Sequence, residues 1–247
     1  MKQMVIQALR NIPLIEKGDD LVGIIQQGLD DANIVLQPND ILVIAQKVVS
    51  KSEGRMVELD SVTPSDKALE MAQITNKDPR LIELILSEST EIVRCTPQGI
   101  IIVRHRLGFV MANAGIDMSN VPEGKALLLP KDPDATCEYI RNSLNEEIGV
   151  IINDSHGRAW RNGTVGVALG VSGVPALQDM RGWTDLFDKK LKSTFVGYGD
   201  ELASAASLLM GQSGEGTPII HIRGFSFEAR ESKAQELVRP LTQDLFV

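Results

Sequence analysis

The chain is predicted to be an α/β protein of mixed α+β type, with mixed or antiparallel sheets, flanking helices and two intimately packed lobes. Three observations carry this prediction. Two short unbroken apolar runs, Ile41 to Ala45 and Gly149 to Ile152, look like strands buried on both faces. Segments with helical apolar spacing alternate with strand-like runs, and several are preceded by Asp or Ser. At 247 residues with 43% hydrophobic content, the chain has ample material for a core.

In order, Met4 to Leu9 alternates as a first strand, closed by Asn11-Ile12-Pro13-Leu14. Asp19-Asp20 then opens a helix from Leu21 to Leu29. After the turn Gln37-Pro-Asn-Asp40, the strand Ile41–Ala45 ends in Gln46, Lys47, Ser50 and Lys51. Ligands commonly sit at such a strand end, although solvated lysines are the plainer reading. Thr63-Pro-Ser-Asp66 and Asp78-Pro79 each open an amphipathic helix, the second running from Arg80 to Ser87. Glu91 to Arg94 and Gly99 to Val103 form a hairpin about Thr96-Pro-Gln-Gly99. Ala126 to Leu129 reads as a strand, and Lys131-Asp-Pro-Asp134 leads into a helix reaching Glu146, with Asp132 or Asp134 near its cap. Asp200-Glu201 begins a helix that ends at Met210, followed by a Gly-rich loop and the strand Ile219 to Arg223. The tail from Phe225, carrying Leu237, Leu241 and Leu245, is expected to pack as a terminal helix.

A net charge of −8 argues against general binding to nucleic acid or anionic membranes, while leaving room for a local phosphate pocket. Only Cys95 and Cys137 occur, with no CxxC, which points away from a disulfide scaffold and towards a reducing cytoplasm. The N-terminus lacks the apolar core of a signal peptide, and no run approaches the roughly 20 residues of a membrane span.

Chemistry concentrates in the stretch Ile151 to Gly173. Its apolar run ends at Asn153-Asp154-Ser155, followed by Arg158, Arg161 and the turn Asn162-Gly163. Asp and Ser oxygens suit a hard cation such as Mg2+ or Mn2+. Arginines pair bidentately with phosphate or carboxylate. A surface loop with solvated arginines accounts for the same residues. Between Asn113 and Asn120, small residues let backbone approach a ligand, and Asp117 and Asn120 can point into one site from a turn. His105 reads as a surface or packing histidine. The loop Gly211-Gln212-Ser213-Gly214-Glu215-Gly216-Thr217 can turn N–H groups towards an anion, yet neither GxxxxGK[ST] nor GxGxxG is present. Composition and spacing therefore reach a metal–phosphate site and stop there.

Four blocks extend the reading. They are Asp40 through Lys51 to Arg55, Ala112 to Val121, Asn153 to Gly163, and Asp200 to Ala206 with Met210-Gly-Gln212. In that order they resemble the coenzyme F420-0:L-glutamate (gamma-glutamyl) ligases. The resemblance implies GTP-dependent addition of L-glutamate to coenzyme F420-0, through an acyl phosphate, with further γ-linked glutamates in some members. It implies Mg2+ or Mn2+ and K+ as cofactors, and a cytoplasmic homodimer. It makes Asp117, Asp154, Ser155 and Gln212 metal ligands. GTP would be touched by Asn11, Ile12, Pro13, Leu14, Gln46, Lys47, Ser50, Lys51, Asn120 and the loop Met210 to Thr217. Arg158 and Arg161 are added as clamps for anionic substrate groups. The chain also departs from the family: Ser155 and His156 stand where Thr and Phe are usual, so His156 either alters substrate fit or packs. Some bacterial relatives carry a second, flavin-reductase-like domain, whereas residues 1–247 read as the ligase domain alone. Two other readings remain, an amide ligase for another carboxylate acceptor and a nucleotide- or deazaflavin-binding module without turnover.

Overall fold

The computed structural model describes residues 3–144 and 147–244. The chain opens with strand β1 (Val5–Ala8), helix α1 (Leu21–Asp31), β2 (Ile41–Ala45), α2 (Gln46–Ser52) and β3 (Met56–Glu58). Helices α3 (Asp66–Thr75) and α4 (Pro79–Ser87) lead to β4 (Ser89–Cys95), β5 (Ile101–His105), β6 (Val110–Ala112) and β7 (Lys125–Leu127). Then come α5 (Pro133–Leu144), the hairpin β8 (Gly149–Arg158) and β9 (Arg161–Ser172), and the short pair β10 (Gln178–Asp179) and β11 (Phe195–Val196). The described chain closes with α6 (Tyr198–Met210), β12 (Ile219–Arg223) and two 3-10 turns. Among the described residues, no helix is long and apolar enough to cross a membrane.

The main sheet has the order β1-β12-β2-β8-β9, and only β2 and β8 run parallel. Its central strands are the two apolar runs. Successive side chains on a strand point to opposite faces, so both faces are fed from the same run. Leu42, Ile44, Val150 and Ile152 pack under α1 and α5, with Ile25 and Ile140. Ile41, Val43 and Ile151 pack under α6, with Leu202, Ala203 and Ala206. A smaller core joins α3 and α4 to β5 through Met71, Ile82, Ile85 and Val103. The sheet is therefore mixed and flanked by helices, as the α/β prediction requires.

Local capping explains the helix starts. Asp20 accepts from the Val22 N–H, Ser65 from Ala68 and Asp78 from Arg80, each meeting a donor that the first turn leaves unpaired. Asp132 caps α5 by accepting from Ala135. Asp134 instead reaches across to the N–H groups of Val171 and Ala234. The expected end of that helix at Glu146 lies outside the described residues.

Two expectations need correction. The tail forms no α-helix among the described residues; it makes 3-10 turns at Ala234–Leu237 and Leu241–Gln243. Pro240 has no N–H to give and pushes Arg239 away from helical dihedrals, so leucines spaced by four do not become one helix. Leu245 lies outside the described residues. The stretch from Asn153 to Arg161, read as a strand end or loop before a turn at Asn162-Gly163, is strand almost throughout, because β9 pairs along it from Asn153↔Ala168 to Gly157↔Thr164, and the turn falls at Ala159-Trp160. Pairing overrides the local turn chemistry of Asn, Asp, Ser and Gly.

His105 is fully buried and belongs to an ionic node rather than to the surface. Glu88 takes Arg55 at 2.7 Å and Arg106 at 3.0 Å, with His105 Nε2 at 3.4 Å. Burial pushes the Glu88 carboxyl up, but the neighbouring His105, Arg55 and Arg106 prevail and bring it from 4.5 to about 2. A carboxyl held below its unfolded value stabilises the fold above that value and loses the contribution as pH falls through the folded value. Wild-type stability should thus drop by about 3 kcal/mol between pH 4.5 and 2 on account of this group. Urea midpoints measured across that range check it, and Glu88→Gln should flatten the slope.

Candidate active site

The parallel ladder sets Ala45 beside Asn153, so β2 and β8 reach the same edge of the sheet together. Beyond Ala45 the chain turns directly into α2, and the expected strand-end residues ride on that helix. Beyond Asn153, β8 continues and presents Asp154 and Ser155. Opposite them, Asn113, Ala114 and Gly115 take positive φ of 52°, 53° and 64° in succession. A left-handed alanine costs about 1 kcal/mol, and Ala114 is fully buried, so packing holds it there. This turn brings Asp117 over the sheet edge, where its N–H and C=O pair with Leu127 at 2.9 Å each.

Asp117 is tightly engaged. Gln46 Nε2 donates to its Oδ2 at 2.5 Å and Lys47 Nζ lies 3.2 Å from Oδ1. Ser50 Oγ in turn donates to Gln46 Oε1 at 2.9 Å, orienting the amide. Lys47 Nζ also donates to Ser119 Oγ at 2.8 Å. Burial pushes the Asp117 carboxyl up, and the charge of Asp154 adds to the rise against the pull of Lys47. The Lys51 ammonium shifts down, first by burial and then by repulsion from Lys47. Two carboxylates and two ammoniums thus crowd one edge of the sheet. A cation beside the carboxylates and an anion beside the ammoniums would offset these charges.

A cleft of about 570 Å³ opens at this edge. Ile12, Pro13 and Leu14 form one wall, and Gln46, Lys47 and Lys51 the floor. Asp117, Asn120, Asp154 and Ser155 line the inner side. Met210 to Gly214, with Gly216 and Thr217, complete the rim. The Asn120 amide donates to Ser213 O at 3.0 Å and latches the loop. Glu215 folds back to accept from the Ser213 N–H at 2.8 Å and does not line the cleft. Asn11 and Ser50 also stand off it: Asn11 Nδ2 donates to Asp31, and Ser50 is buried behind Gln46. Arg158 and Arg161 lie at the exposed end of the β8–β9 hairpin, where Arg158 Nη1 donates to Gly163 O at 3.0 Å.

The donor set suits a hard cation. Asp117, Asp154, Ser155 and Gln212 offer oxygens only, and Asn153 Oδ1, next in sequence to Asp154, is buried without a partner. No group of three or more His, Cys, Asp or Glu forms a cage among the described residues. His156 Nε2 lies 3.1 Å from Asp154 Oδ2. It lines a small polar chamber of about 160 Å³ with Asp117, Asp154 and Ser155, and also a further cleft beyond. His156 thus contacts the Asp154 carboxylate directly.

Sequence reasoning missed Ser119, which holds Lys47, and Arg104, Arg239 and Asp200, which line that further cleft. Asp200 was legible only as a helix start and as the first residue of the fourth matching block.

The model of the F420-0:Gamma-glutamyl ligase family matches residues 10–224. The Coenzyme F420:L-glutamate ligase of Methanothermobacter thermautotrophicus is 44% identical over 244 residues, covering 96% of both chains. Its namesake from Methanopyrus kandleri is 45% identical over 95% of both. The one from Archaeoglobus fulgidus is 38% identical over 96% of this chain and 94% of its own. The chain is an enzyme of the amide-forming ligase class. It belongs to the F420-0:Gamma-glutamyl ligase family.

Proposed function

We propose that the chain joins L-glutamate to coenzyme F420-0 through an amide bond, driven by GTP. The observation that carries this is the cleft's paired like charges, Asp117 with Asp154 and Lys47 with Lys51, in a chain of this family. Lys47 and Lys51 draw the nucleotide phosphates in, and the loop from Met210 to Thr217 closes over them. An acceptor carboxylate oxygen attacks the γ-phosphorus, forming an acyl phosphate and releasing GDP. The glutamate nitrogen then attacks the acyl carbon. The C–N bond forms, the C–O bond to phosphate breaks, and the nitrogen loses two protons, one to phosphate and one to water.

Asp117, Asp154, Ser155 and Gln212 would hold Mg2+ or Mn2+, which would offset the phosphate charge. Gln46 and Ser50 keep the Asp117 carboxylate turned towards the cleft through their relay of hydrogen bonds. Arg158 and Arg161, outside the cleft, are left for anionic groups of the acceptor that extend towards solvent.

Incubation with GTP, Mg2+ or Mn2+, L-glutamate and the deazaflavin precursor should yield GDP and a glutamylated product by mass spectrometry. Absence of both with active nucleotide and metal present sinks the reading. A second reading, an amide ligase for a different acceptor, draws on His156 beside the carboxylate pair; competing acceptors in the same assay decide between them.

A further inference from the structure

Asp200 opens the fourth matching block, yet the reaction above gives it nothing to do. It sits in the first turn of α6, and its Oδ1 accepts from the Ala168 N–H in β9 at 2.9 Å. Burial pushes its carboxyl up, against the opposing influence of that N–H and of His156 nearby. It lines a cleft of about 310 Å³ that meets the small polar chamber at His156. Arg104 and Arg239 line the same cleft, and Phe109 and Leu237 furnish apolar wall. Arg104 Nε donates to Glu91 at 3.3 Å, while its Nη2 is buried with no acceptor. A buried N–H of a guanidinium left unpaired is costly, and an anion in the cleft removes that cost. Asp244 also reaches this cleft and is engaged in an interaction of its own.

We propose that this cleft is the subsite for the amino-acid substrate, with Asp200 holding its ammonium and Arg104 and Arg239 its carboxylates. The inference rests on the ligase reading. With Asp244 already engaged, the two guanidiniums and Asp200 match the two carboxylates and one ammonium of glutamate. Phe109 and Leu237 give its methylenes an apolar bed. Asp200 and His156 lie at the end shared with the polar chamber, so an amine held by Asp200 faces the Asp117–Asp154 side, where the acyl group forms. The dicarboxylate requirement follows: an amino acid without the second carboxylate leaves one arginine unmatched.

Arg239→Gln and Asp200→Asn test it. Arg239 is exposed, and the Asn oxygen can still accept from Ala168, so both chains should fold. KM for L-glutamate should rise about tenfold in each, the loss of one charged hydrogen bond, with KM for GTP and for the acceptor within about twofold. Titration calorimetry of L-glutamate alone should show the same weakening. Unchanged glutamate KM, or a rise in acceptor KM instead, overturns the assignment. A wild type that binds glutamate through these residues but forms no product would sink the ligase reading while sustaining the subsite.

Discussion

Replacing Asp154 by alanine is expected to cut turnover by about a thousandfold or more while leaving the fold intact. The carboxylate follows the last core residue of β8, Ile152, and belongs to no apolar cluster, so no core packing is lost with it. Its loss takes away half of the carboxylate pair and the partner of His156. It also removes the repulsion that raises Asp117. A carboxyl raised by folding costs stability wherever it is ionised. The thermal midpoint of Asp154→Ala should therefore hold or rise as activity collapses, the trade expected of a site strained for function. Initial rates and thermal unfolding on the same preparation check both halves. Retention of a tenth of the activity, or a fall in midpoint with the activity, would remove Asp154 from the site. Asp117→Ala should behave alike in turnover, with a smaller gain in stability because Lys47 then loses its partner.

A large loss of stability is expected at Gly170. A Cβ there would stand 2.5 Å from the carbonyl carbon and oxygen of Pro133, where α5 starts against β9. The neighbour is backbone and cannot swing aside. Gly170→Val should destabilise the chain by about 3 kcal/mol or more and lower the thermal midpoint by about 10 °C. Gly166 is the functional counterpart. It pairs across the hairpin with Ser155, and a Cβ on it would collide with the Ala203 carbonyl of α6. Gly166→Val should shift α6 and the loop that follows it, so that KM for nucleotide rises along with the loss of stability. Gly157→Ala, which meets nothing within 4 Å, is the control and should change neither. Equal midpoints for Gly157→Ala and Gly170→Val would refute the close-packing account.

Much of this was readable in the chain itself, and for local reasons. The apolar runs at Ile41 and Gly149 became the two central parallel strands. Asp20, Ser65 and Asp78 became caps, because a short oxygen-bearing side chain and the orphan N–H it serves lie within three residues of each other. The carboxylates and lysines of the cleft were named because oxygen and ammonium groups announce their chemistry without a fold. The family followed from four ordered blocks and is upheld by relatives 38% to 45% identical over nearly the whole chain.

What the residues alone could not reveal depended on partners distant in sequence. Asn153 to Arg158 read as a strand end or loop, and β9 pairing along it makes it strand. The tail's leucines kept a helical spacing that Pro240 forbids. Gln46 reaches Asp117 across 71 positions and Asp200 reaches Ala168 across 32. Short-range chemistry determined which residue types this protein brings to its site. Tertiary structure decided which of them meet, because a hydrogen bond or an ion pair needs a few ångströms of approach that only the packed sheet and its helices impose.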